Sequence, residues 1–372
     1  MVQSLRVVLA ERVRVTLIAA GSPRDARHTD GSGEIIYMAR PRLPGSFVNW
    51  NLISHRIGRE IERLNPDVIH VHDAAGYTLA WPRGTWGRPI IFTVHGMLDT
   101  DIRLGGPGWL RQTTAPARAR LIARVERAGR ARASDVIVIN DYVLELLPDL
   151  RARPHHRIAN PVDPIFVGGK LPPRATNSPA EIITIGGIWP RKNTLEAIHL
   201  LARLNAIGRP ANLTIVGPTA DALYLAACKA QIVAYDVADR VRFTGALPPA
   251  EVVAALDRAD LLLVTSRQEI APMVVAEAHC RGVPAAVPRA FGLSTMVEAG
   301  SNGVFITTTN TDADANVLNA YLNTSPDRSA IAATARHTYD ADQIARQTVA
   351  VYRQAIARQV PRRAPRSIGD AA

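Results

Sequence analysis

Short β-branched runs separated by helix-length stretches recur along this chain, and that alternation restricts it to folds built on parallel sheets. In the first half the runs fall at residues 13–19, 68–71, 90–94 and 136–139. Neighbouring parallel strands need a crossover, usually a helix, so repeated strand–helix–strand units predict an open, doubly wound α/β layer. The pattern breaks after Asn160-Pro-Val-Asp163, a turn, at the proline- and glycine-rich segment VGGKLPPRATNSP, residues 167–179, which reads as a linker. A second series at 182–185, 213–216, 241–243, 261–265, 285–287 and 304–306 predicts about six more parallel strands. A chain of 372 residues is long enough for two such cores. We therefore expect a first domain over 1–165, a linker over 166–180 and a second domain over 181–340. The tail 359–372, with Pro, Arg and Gly but no apolar face, is expected to be disordered.

Open parallel sheets bind ligands at the carboxyl ends of their strands, where a buried strand gives way to a helix. Two segments of the second half sit at such places: Gly186-Gly187-Ile-Trp-Pro-Arg-Lys192 and Glu269-Ile-Ala-Pro-Met-Val-Val-Ala-Glu277. Helix N-terminal N–H groups and a lysine ammonium suit a diphosphate. Carboxylates repel one, but accept hydrogen bonds from the vicinal hydroxyls of a sugar. Lys192 with Glu269 and Glu277 therefore points to a ligand that is part phosphate and part sugar. Pro272 has no N–H to offer, so Met273 and Val274 are the expected amide donors.

Several classes fall away. Cys228 and Cys280 are the only cysteines, too few for a disulfide framework and outside any ligand cluster, which fits a reducing cytoplasm. No apolar run approaches the roughly 20 residues needed to span a bilayer, and no standard secretion signal opens the chain. The net charge of +11 is almost wholly arginine, Lys170, Lys192 and Lys229 being the only lysines; it suits anionic ligands, but no nucleic-acid recognition motif accompanies it. Residues 109–132 read as a basic amphipathic helix, with Arg111, Arg118, Arg120, Arg124, Arg127, Arg130 and Arg132 around Leu110, Leu121, Ile122 and Val125. A solvated surface helix is its simpler reading; peripheral contact with a membrane or lipid-linked acceptor is the other. His70, His72 and Asp73 alternate on one strand end, too small a set for a metal, and none is expected. His95 ends another strand, either as a structural histidine or as a donor to a reacting group.

GGIWPRK and SRQEIAPMVVAEAHCRGVP resemble the G-R-x4-K and S-x2-E-x7-E-A-x3-G-x-P patterns of family 4 glycosyltransferases, with TVHGML at 93–98, NPVD at 160–163, VRFTGAL at 241–247 and AFGLSTMVEAGSNGVFI at 290–306 in support. The likeness extends from about residue 66 to 307. It implies the GT-B fold, two Rossmann-like domains facing each other across a cleft, with a helix at 341–358 crossing back to the first domain. It implies retaining, metal-independent transfer of a hexosyl unit from a nucleotide diphosphate sugar to a glycan or lipid-linked acceptor, with no cofactor. Lys192 would stabilise the leaving diphosphate, Glu277 hold the ribose, Glu269 the donor sugar, and His95 orient groups near the anomeric carbon. Gly186, Gly187, Met273 and Val274 would complete the donor site. Bacterial capsule, exopolysaccharide and lipid-linked glycan assembly all suit such an enzyme, which would work in the cytoplasm or at the inner membrane face.

Three departures qualify the resemblance. The chain opens on MVQSLRVVLAERVRVTLIAAG, similar to the family's first helix and second strand, so the first strand and its glycine-rich loop are expected to be missing, through an upstream start or a damaged copy. Each backbone group so left unpaired and buried costs on the order of 1–3 kcal/mol. Gly187 stands where the family has arginine, and Ile270-Ala271-Pro272 where it has Gly-Phe-Gly. A catalytically dead remnant that binds nucleotide or a partner, and a sugar-nucleotide epimerase of the same architecture, are the alternatives.

Overall fold

The computed structural model describes residues 2–39, 46–74, 87–96, 115–171, 179–219 and 221–359. The chain starts with α1 (Val2–Ala10), followed by β1 (Thr16–Ser22), β2 (Ala26–Asp30), β3 (Gly33–Ala39), α2 (Ser46–Leu64), β4 (Ile69–Ala74) and β5 (Ile90–Gly96). Then come α3 (Ala115–Arg130), β6 (Asp135–Val138), α4 (Tyr142–Leu146), β7 (His155–Arg157) and the short α5 (Pro164–Val167). Strands β4-β5-β6-β7 form a parallel four-stranded sheet, and β1-β3-β2 a separate three-stranded one in which β2 is antiparallel to β3.

This differs from the single parallel layer expected. The hairpin β2–β3 lacked a burial signature, because every residue of β2 is exposed, and pairing with β3 holds it extended. With three residues, β7 is too short to show a period. The opening strand lies at 16–22, three residues beyond the expected run. By contrast β5 buries Ile90–Val94 completely, the signature of a strand covered on both faces.

The second half is regular. Strands β8 (Ala180–Ile185), β9 (Ala211–Val216), β10 (Val241–Gly245), β11 (Leu261–Leu263), β12 (Ala285–Pro288) and β13 (Gly303–Ile306) make one parallel sheet in the order β10-β9-β8-β11-β12-β13. Its helical crossovers are α6 (Thr194–Ala206), α7 (Ala222–Ala234), α8 (Pro249–Arg258) and α9 (Met273–Cys280); α10 (Thr311–Leu322) follows β13, before α11 (Arg328–Thr338) and α12 (Ala341–Gln359). Local capping sets several helix starts: Asp221 accepts from Tyr224 N–H, Asn310 from Ala313, and Asp327 from Ser329 and Ala330. The order reverses at β8 and β11, the strands that carry the two sequence motifs.

Helix α12 returns to the first half. Its Ile344, Ala345, Val349, Val351 and Tyr352 share a core with Leu5 and Leu9 of α1 and Ile91 and Ile137 of the four-stranded sheet. Arg12 pairs with Asp342, and Arg358 with the buried Asp135. No described helix is long and apolar enough to cross a membrane. Of the basic helix expected over 109–132, residues 109–114 lie outside the described residues. Arg130 does not belong to a solvated basic face: it is 4% exposed and its guanidinium donates to both Asp149 carboxylate oxygens at 3.0 Å. The tail beyond 359 also lies outside the described residues.

Candidate active site

Strand β8 ends at Ile185, and Gly186 prolongs its pairing by donating to Val216 O at 2.8 Å. A tight turn over Pro190–Lys192 then leads into α6. A Cβ at Gly186 would stand 3.3 Å from Lys192 Cε, so the missing side chain lets the lysine stem lie back across the strand end. Because β11 is the neighbour of β8, its continuation runs beside that turn. Thr265 Oγ1 donates to Asn193 O at 3.0 Å, and Arg267 N–H to Arg191 O at 2.9 Å.

Those ties bring Lys192 and Glu269 together. The Lys192 ammonium donates to Glu269 Oε1 at 2.5 Å, although the two residues are 77 positions apart. Arg191 completes the rim: Nη1 donates to Gln268 O at 3.2 Å, lies 3.9 Å from Glu269 Oε2, and its guanidinium is 5.3 Å from the Trp189 ring. Gly186, Gly187, Lys192, Ser266, Glu269 and Val274 line one small cleft.

Helix α9 enters from behind. No described backbone carbonyl takes the N–H of Met273 or Val274, while Val275 N–H turns back to Pro272 O. The cleft thus has a cation, a carboxylate and, at Val274, an amide that no described backbone carbonyl takes. Glu277 lies one turn further along α9 and does not join the Lys192–Glu269 contact. Its half-buried carboxyl meets no hydrogen-bond partner among the described residues, and burial, helped by the nearby Asp163, pushes it up to about 7. Asp163 itself caps α5, accepting from Ile165 N–H, and takes a bond from Ser4 Oγ at 3.1 Å.

The first half closes against this loop. Asn140 Nδ2 donates to Ile270 O at 2.6 Å and Gln268 Nε2 to Tyr142 Oη at 3.1 Å. Ile270 and Ala271 pack with Phe92 and Val94 of β5. Gly292 packs onto the same carbonyl so closely that a Cβ there would collide with Ile270 O. Next to Val94, His95, the last residue but one of β5, meets His72 of β4, Nε2 to Nδ1, at 2.9 Å. His70 is held by Tyr352 Oη at 2.6 Å and Thr93 Oγ1 at 2.8 Å. Burial keeps all three rings uncharged at neutral pH, pulling His95 down to about 4 and His70 to about 3. Sequence reading missed Asn140, Tyr142 and Gln268, which act only across the seam, and the pairing of His72 with His95, which needs the strand register.

Two family profiles match. One described as Glycosyltransferase Family 4 takes in residues 1–166, and one described as Glycosyl transferases group 1 takes in residues 173–338. The chain belongs to the group 1, family 4 glycosyltransferases. It is similar to the D-inositol 3-phosphate glycosyltransferase of Corynebacterium efficiens, with 26% identity over 64% of this chain and 59% of that protein. The chain therefore spans less than two thirds of that relative's length. Among solved structures, sucrose-phosphate synthase of Thermosynechococcus elongatus superposes with a TM-score of 0.71 at 18% identity, covering 96% of this chain and 93% of that one. HepE of Anabaena, in complex with UDP and glucose, superposes at 0.67 with 19% identity, covering 94% and 95%. The likeness shows the GT-B fold, with parallel sheets in two domains.

Proposed function

We propose that this chain transfers a hexosyl unit from a nucleotide diphosphate sugar to an acceptor hydroxyl, with retention at the anomeric carbon and without a bound metal. The observation that carries the reading is the convergence of Lys192, Glu269 and Val274, whose N–H no described backbone carbonyl takes, on one cleft at the ends of β8 and β11. Family membership and the UDP and glucose held by HepE support it. In this reading residues 181–340 bind the donor, residues 1–165 face the acceptor, and α12 joins them.

An ammonium has three N–H donors, so Lys192 can keep Glu269 and still reach a phosphate oxygen. During transfer the bond from the anomeric carbon to the diphosphate breaks and a bond to the acceptor oxygen forms on the same face. The acceptor proton passes to the departing phosphate oxygen. Lys192 and the α9 amides stabilise the charge that develops there. Glu269 accepts from the donor sugar's hydroxyls, Glu277 from the ribose, and His95 orients groups near the anomeric carbon. The acceptor is a glycan or a lipid-linked saccharide.

The test is release of nucleoside diphosphate from UDP-glucose, ADP-glucose and GDP-mannose, with and without saccharide acceptors. Lys192→Ala and Glu269→Ala should each lower turnover by about 100-fold or more. Unchanged turnover in both variants would remove the site assignment, and product retaining the nucleotide but altered in its sugar would mark an epimerase.

A further inference from the structure

We propose that His72 is the positioning residue for His95, fixing the plane and tautomer of its imidazole and leaving Nδ1 as the ring nitrogen outside the pair. This rests on the reading of His95 given above. The two rings lie within 9° of parallel with centroids 5.2 Å apart, and their nearest nitrogens are 2.9 Å apart. That centroid separation is the N···N distance plus a ring radius at each end. The rings therefore meet edge to edge in nearly one plane, and an N–H on one points along the lone pair of the other.

Because burial keeps both rings uncharged, one proton lies between these two nitrogens, and the tautomer of one ring dictates that of the other. His72 is itself fixed from behind. The His70 ring lies 3.9 Å from it, centroid to centroid, and His70 is anchored at Nδ1 by Tyr352 Oη and at Nε2 by Thr93 Oγ1. The parallel register pairing His72 with Thr93, together with strand alternation, places His70, His72, Thr93 and His95 on one face of the sheet. Tyr352 belongs to α12, so the anchor of this chain of rings is the helix that spans the two lobes. Among the described residues His95 Nδ1 has no hydrogen-bond partner.

Three measurements decide it. In the wild-type chain, a 15N–15N coupling across the hydrogen bond should connect His72 Nδ1 with His95 Nε2, and His95 should show a single tautomer; absence of that coupling overturns the proposal whatever the variants do. His72→Phe keeps a ring and removes the nitrogen, and should leave His95 in mixed tautomers. With the same three nucleotide sugars it should lower kcat by about 10- to 100-fold with little change in donor KM. His72→Asn, whose amide stands near the position of Nδ1, should recover most of that loss. An unchanged His95 tautomer and kcat in His72→Phe would refute the positioning role. His95→Ala, measured in parallel, separates the layers: if it leaves turnover unchanged, the parent reading of His95 fails, while the coupling still reports on the dyad.

Discussion

The two halves of the molecule solve the same architectural problem differently. The second half is one continuous sheet with β8 at its centre, flanked by β9 and β11, and the candidate site residues Lys192 and Glu269 follow the ends of β8 and β11. In the described first half, β1 and β4 are edges of separate sheets and share no pairing. The second half can thus hold Lys192 against Glu269 by its own backbone, whereas the first half depends on partners from elsewhere. Helix α12 covers its face, Tyr352 anchors His70, and the loop at Ile270 plugs its core. A continuous sheet makes a site rigid locally; a divided one must borrow rigidity across the seam.

The seam is where that contrast is easiest to break. Gly292→Ala places a methyl where Ile270 O stands, and the cleft loop must shift. We expect a loss of about 2–3 kcal/mol in urea unfolding, together with weaker nucleoside diphosphate binding by calorimetry. An unchanged variant would mean the lobes do not depend on this contact.

Glu277 sharpens the picture within the regular half. Its carboxyl, pushed up to about 7 by burial, is protonated more readily in the folded chain than in the unfolded one. The stability this contributes is present below about pH 4.5 and lost as pH rises through about 7. Glu277→Gln should therefore be more stable than wild type at pH 8, by about 2 kcal/mol, with the difference vanishing near pH 4.5. Thermal unfolding at the two pH values checks the sign, and a gain confined to acid would contradict it.

The smallest change probes the departure at Gly187. A Cβ there would meet nothing nearer than Pro218 O at 3.8 Å, so a side chain fits. Gly187→Arg should tighten nucleoside diphosphate binding by about 10-fold through one charge-assisted bond. Weaker binding would show that Arg191 already occupies that role from its position beside Glu269.

Much of the second half was readable because buried parallel strands are long apolar runs and because its site residues lie in two compact motifs. All six expected strands of that sheet appear within a few residues of their sequence positions. The first half was less readable for physical reasons. Strand β2 is exposed on every residue, and β7 has three, so neither leaves a periodic trace. Arg130, counted among surface charges, is buried by a partner 19 residues away. No spacing in a linear chain announces that pairing.

By itself the amino-acid order determined the alternation of strand and helix, the break between the halves, and the residue types gathered at two strand ends. These follow from local sterics, periodic burial and short-range chemistry, all legible in sequence. Tertiary structure alone decided that Lys192 meets Glu269, that Glu277 stands outside that contact, and that His72 reaches His95. Those contacts depend on which strands become neighbours and in what register, and that is settled by packing of the whole sheet rather than by any segment within it.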